Sequence, residues 1–183
     1  EGTTRFQPQE MPANAQLNKV QLRILVLYAG TADFGVSTAR ALLKAHGIPF
    51  DELDASKVPL GVQDLVNDKG IGKYSGVILT SNALTIESSP GIYSSALDSS
   101  EWATLFEYEK LFKVRQLALF GYAGVSPEDY GLRAIAGADS ASADAVVTDA
   151  GKSVFRDLTT NALPIRNAYN YPASVQAVAG VTT

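Results

Sequence analysis

Cysteine is absent from this chain of 183 residues, and histidine, methionine and tryptophan occur once each. Without a thiol there is no thiolate nucleophile, no disulfide and no thiolate metal site. The single histidine, His46, cannot build a multi-histidine metal site, and a histidine-containing triad would have to be completed by another chain. Long apolar runs are missing too: the longest are strand-length, far short of the ~20 residues a membrane-crossing helix needs. No block of Lys or Arg occurs and the formal net charge is −4, which argues against a nucleic-acid or anionic-membrane surface. A mildly acidic surface suits a neutral or cationic ligand. What the chain does have is 46% apolar residues in a length that suits one domain with a proper core.

The organising stretch is residues 23–35, RILVLYAGTADFG. Residues 24–27 form a short apolar run that predicts a buried strand, followed by a small, polar loop. The period then changes to that of a helix, with Val36, Ala39, Leu42, Leu43 and His46 on one side and Gly47 at the position after the C-cap. His46 reads as a residue of that helix end, near the terminal carbonyls. Strand, loop and helix in this order are the first half of a right-handed crossover, and the following segments repeat the plan. Residues 48–54 predict a second strand with Pro49 at its start or on an edge, and residues 74–81 a third. A long loop over residues 87–93 is expected next. Asp98 and Glu101 form a capping box ahead of a helix with an apolar stripe of Trp102, Leu105, Phe106, Tyr108, Leu111 and Phe112, read as core. Residues 114–120 predict the fourth strand. Residues 134–145 read as an irregular excursion, residues 145–148 as a fifth strand on an edge, and residues 167–173 as a further short strand. The expected fold is α/β: a three-layer, Rossmann- or flavodoxin-like open sheet, mostly parallel, with helices on both faces. Residues 1–17 read as a linker or edge segment, 18–179 as one α/β domain and 180–183 as an exit linker.

In such sheets ligands bind beyond the carboxyl ends of the strands, where the strand order switches direction. Tyr28, Thr31, Asp33 and Phe34 leave the first strand, Ser81 and Asn82 the third, and Tyr122, Asp129 and Tyr130 the fourth, so all are expected to face one crevice. Rings, hydroxyls, carboxylates and an amide, without clustered Arg or Lys, suit a sugar: its apolar face stacks on a ring while polar groups bind its hydroxyls. Asp54 stands where a dinucleotide fold places a ribose contact, but the first loop lacks the G-x-G-x-x-G spacing a pyrophosphate requires. An alternative from the same residues is a hydrolase or transferase in which Asp33 and Asp129 act as acid and base, needing carboxyls ~5 to 10 Å apart. A structural spacer or protein-docking domain is the third. No cofactor and no metal is expected.

Two resemblances sharpen this. The strand-and-helix plan resembles the class I glutamine amidotransferase-like group; its catalytic members use a cysteine, which this chain lacks, so that likeness would be one of scaffold. More closely, RILVLYAGTADFGVSTARALLKAHGIPFDEL, YSGVILTS, SSEWATLFEYEKLFKVRQLAL, GYAGVSPEDYGL and the terminal YNYPAS, in that order, resemble the family 87 carbohydrate-binding module at the N-terminus of secreted deacetylases acting on galactosamine-containing exopolysaccharide. The resemblance implies a non-catalytic, extracellular or cell-surface domain that binds an amino-sugar-containing glycan and holds an attached or neighbouring deacetylase domain on it. Metal-dependent hydrolysis would be carried by that other domain, since an Asp-His-His site needs two histidines. Asp33 or Asp129 would pair with the ammonium of a deacetylated sugar.

Overall fold

Short apolar segments alternating with amphipathic helices leave the chain one economical solution, in which strands lie side by side and helices cover them. A computed structural model describes residues 7–30, 33–137, 142–160 and 162–176 and resolves the chain into two compact units, Glu1–Gly121 and Tyr122–Thr183. In chain order the first carries β1 (Ile24–Tyr28), α1 (Phe34–Ala45), β2 (Phe50–Asp54), α2 (Val62–Leu65), β3 (Gly76–Leu79), β4 (Thr85–Ser89), β5 (Ile92–Ser95), α3 (Ser99–Phe112) and β6 (Arg115–Ala118). The second carries β7 (Leu132–Ala134), β8 (Ala143–Val146), α4 (Asp149–Val154), β9 (Ala162–Ile165) and β10 (Ala173–Val175).

The first unit is built on a four-stranded sheet in the order β2-β1-β3-β6, every pair parallel. Successive side chains of a strand point to opposite faces, and the packing follows that rule. Ile24, Val26, Phe50 and Ile78 meet Ala39 and Leu43 of α1. Leu25, Leu27, Val77 and Leu79 meet Trp102, Leu105, Tyr108 and Phe112 of α3. The register agrees, with Leu25 opposite Val77 and Val26 opposite Ile78. The helices begin and end as their sequences dictate. Asp98 Oδ1 accepts from the amides of Ser100 and Glu101 while Glu101 Oε2 accepts from the Asp98 amide, and Gly47 takes φ +63° just past His46, the exposed C-cap. Inside the larger cluster the Tyr108 hydroxyl donates to the Tyr74 carbonyl at 2.6 Å and accepts from its amide at 3.1 Å. Burial pushes that phenol up to about 12.

Several expectations change. The stretch expected as a loop over residues 87–93 is a hairpin, β4 against β5, turned at Pro90-Gly91 with Gly91 at φ +74°. Proline followed by a glycine of positive φ is the signature of a type II turn. Residues 7–17, expected as a linker, lie against the first unit: the Gln9 amide donates to Thr104 Oγ1 at 2.9 Å, and Met11 and Ala15 pack on the larger cluster. The expected fifth strand forms as β8 but joins no edge of the parallel sheet, pairing instead with β9 in a two-stranded antiparallel sheet. The strand expected at residues 167–173 is found only from Ala173, where β10 pairs antiparallel with β7. Thr148 caps α4, its Oγ1 accepting from the Gly151 amide at 3.1 Å. Residues 1–6 of the expected linker, part of the excursion at 138–141, and the exit linker at 180–183 lie outside the described residues.

Candidate functional site

Strand order decides where to look. From β1 the chain crosses through α1 to β2 on one side and then returns past β1 to β3 on the other, so β1 and β3 flank the switch point of the sheet. Tyr28 ends β1 and Thr80, Ser81 and Asn82 follow β3, so these residues and the start of α1 gather at the carboxyl end of the parallel sheet.

Asp33 is the clasp of that end. As the N-cap of α1 it accepts from the Gly35 amide through Oδ1 at 3.0 Å, while Oδ2 accepts from the Ala29 amide at 3.3 Å and from the hydroxyl of buried Thr80. One carboxylate thus joins the loop after β1, the first turn of α1 and the exit of β3. Gly35 permits the approach: a Cβ there would lie 2.9 Å from Thr80 Cβ. Asp54, read above only as a rejected ribose contact, secures the same loop from the β2 side. It is buried, accepts from the Gly30 amide at 2.9 Å and from the Ser56 hydroxyl at 2.6 Å, and pairs with Lys57 at 3.1 Å. Burial opposes its charge, but the bonds from Ser56, Lys57 and Gly30 outweigh it and hold the carboxyl below its ordinary range. Asn82 is buried, and its main-chain N–H donates to the Phe120 carbonyl at 2.9 Å, tying the exits of β3 and β6 together. Phe34 stands 69% exposed at the first position of α1, edge-on to the Phe120 ring with centroids 6.0 Å apart.

The expected site residues therefore divide. Tyr28, Asp33, Phe34 and Asn82 come to one end of the first unit, and Thr31 lies outside the described residues. Tyr122, Asp129 and Tyr130 belong to the second unit. There Asp129 accepts from the Gly131 amide at 2.8 Å and is bound by Arg133, and these two contacts hold its carboxyl below the ordinary range. The Tyr130 amide donates to Glu128 Oε1 at 2.9 Å. As acid and base, Asp33 and Asp129 would span two units, and each is engaged by neighbours in its own. Thr80, Gly35 and Phe120 escaped the sequence reading. A hydroxyl directly after an apolar strand was the available signal for Thr80. Among the described residues no group of three or more His, Asp or Glu is placed to hold a metal ion. A groove of about 490 Å³ lined by Leu17, Asn18, Val20, Leu111, Phe112 and Lys113 lies at the opposite end, by the amino ends of β1 and β6.

Comparison with known proteins is consistent with this architecture. The crystal structure of Agd3, a novel carbohydrate deacetylase, superposes with a TM-score of 0.72 at 23% identity, over 87% of this chain and 24% of that one. The likeness concerns the fold, and this chain spans about a quarter of the length of that protein. No curated protein sequence matches the chain. The family described as Agd3 CBM87 matches residues 20–183, which takes in both compact units. The chain belongs to the Agd3 CBM87 family, a family of carbohydrate-binding modules.

Proposed function

We propose that this chain is a non-catalytic carbohydrate-binding module that holds a polysaccharide-modifying enzyme, a deacetylase attached to it or beside it, on an exopolysaccharide of galactosamine and N-acetylgalactosamine. The observation that carries the reading is the family match through residues 20–183, which also favours treating 18–179 as one functional module. The fold likeness to a quarter of a carbohydrate deacetylase supports the neighbour, and an extracellular or cell-surface setting, where such a polymer lies, belongs to the same proposal. The order β2-β1-β3-β6, with α1 on one face and α3 on the other, supports an amidotransferase-like three-layer scaffold.

The site chemistry favours binding over hydrolysis. Asp33 spends its oxygens on two amides and a hydroxyl, and Asp129 is kept ionised by Gly131 and Arg133, so neither is arranged to donate a proton. In the first unit Tyr28 and Phe34 then offer rings to a sugar, on loops shaped by Asp33 and Asn82; in the second, taken by itself, Tyr122 and Tyr130 do so on the loop shaped by Asp129.

Co-sedimentation with partly deacetylated polygalactosamine is the test. The protein should pellet with the polymer, and no acetate should be released by this chain alone. Protein left in the supernatant at every salt and pH tried would overturn the reading; acetate or reducing ends would move it to the enzyme alternative.

A further inference from the structure

The terminal YNYPAS segment holds two tyrosines whose arrangement neither the core nor the switch-point site accounts for. Tyr169 and Tyr171 are two residues apart, and extended backbone puts such residues on one face. Pro172 enforces that geometry on Tyr171, because the residue before a proline is driven out of the helical region. The rings meet with centroids 5.2 Å apart and planes tilted by 41°. Neither belongs to a hydrophobic cluster, and they stand 69% and 51% exposed.

Their backbone is tied down on its C-terminal side. The Pro172 carbonyl accepts from the Ile135 amide at 3.1 Å, and β10 follows at once, with Ser174 in register with Arg133 of β7. Asn167, two residues before Tyr169, takes φ +55°, and between the two tyrosines the Asn170 side-chain amide donates back to the Ala168 carbonyl at 3.2 Å. Two large rings are thereby displayed to solvent on anchored chain. A soluble domain gains nothing in stability from such exposure, whereas a binding surface gains contact area at little cost in side-chain entropy.

We propose that Tyr169 and Tyr171 form a glycan-stacking platform within the second unit. The ligand class is a single, soluble amino-sugar chain, whose pyranose C–H faces would rest on the rings. The tilt of 41° selects against a flat crystalline polymer, which calls for coplanar rings. The proposal rests on the carbohydrate-binding reading above and adds the place and the form of the ligand.

Affinity electrophoresis of the whole chain in gels containing soluble polygalactosamine tests it. Tyr169→Ala with Tyr171→Ala should weaken retardation at least tenfold, whereas Tyr169→Phe with Tyr171→Phe should keep most of it, because stacking needs the ring and not the hydroxyl. An alanine double variant retarded as strongly as the unaltered chain would overturn the platform while leaving the module reading intact. An unaltered chain that is not retarded would overturn both. Tighter binding to crystalline than to soluble polymer would also overturn the platform. A measurement independent of variant folding is titration of ring-labelled tyrosine with galactosamine oligomers, followed by NMR: the Tyr169 and Tyr171 signals should shift, and silence from both would remove the proposal.

Discussion

The two units of this chain differ in how they use their hydrophobic side chains. In the first, Leu25, Val26, Leu27, Val77, Leu79, Leu105 and Tyr108 are buried nearly completely. Among the described residues no hydrophobic side chain of the second unit is buried; Val146 and Val154 stand 70% and 71% exposed. The first unit is held by hydrocarbon removed from water, at roughly 1.5–3 kcal/mol for a fully buried large side chain. The second relies on backbone ladders, the β7–β10 and β8–β9 pairs, and on surface ion pairs such as Asp129–Arg133 and Asp144–Arg166. Exposed ion pairs are weak, so the second unit is the one expected to open locally first.

Truncation gives the hardest test of that contrast. Leu27→Ala should cost about 2–5 kcal/mol in urea unfolding, because β1 is covered on both faces and a cavity there cannot collapse freely. A loss below ~1 kcal/mol would mean that the parallel sheet is not the stabilising core.

Asp33→Ala comes next, at about 1–2 kcal/mol, since it removes an N-cap and leaves the Thr80 hydroxyl only its longer bond to the Leu27 carbonyl, at 3.4 Å. Asp33→Asn should recover part of the loss in thermal melts. If Asp33→Ala melts like the unaltered chain, the clasp contributes nothing.

Acid should weaken both units, in the first through Asp54 and in the second through Asp129. A carboxyl whose folded-state pKa lies below its unfolded value contributes stability that is full above about pH 5 and fades as pH falls through the folded value. Urea midpoints measured from pH 6 to pH 3 should therefore fall, and Asp54→Asn should flatten the slope. An unchanged slope would assign the acid sensitivity elsewhere.

The smallest effect is expected from Val154→Ala in the second unit, less than about 0.5 kcal/mol, because the side chain is already in water. A cost near that of Leu27→Ala would erase the distinction between the units.

Sequence periodicity made the first unit readable and the second opaque for the same reason. Residues 24–27 are a continuous apolar run because β1 is buried on both faces, while the helix after Asp33 and the stripe from Trp102 to Phe112 are periodic because each has one buried face, and both patterns are visible before any folding. Strand partners are not visible in this way: residues 145–148 gave a strand signal that did not say whether the partner was the parallel sheet or β9. The β4–β5 hairpin hid behind serines, although Pro90-Gly91 marked its turn. Asp33 is legible both as a loop carboxylate and as a helix cap, and only the positions of Ala29, Gly35 and Thr80 assign it to the cap.

Gly35 leaves a consequence for the carboxyl end of the parallel sheet. A methyl group there would meet the side chain and backbone of Thr80 at 2.9 to 3.2 Å, and a contact that short forces something to move. Alanine at this position would be a wedge driven between helix and strand, prising Phe34 and its neighbours outward. The spacing between the first turn of α1 and the exit of β3 is thus set by a missing carbon atom, and a single substitution at Gly35 would change it.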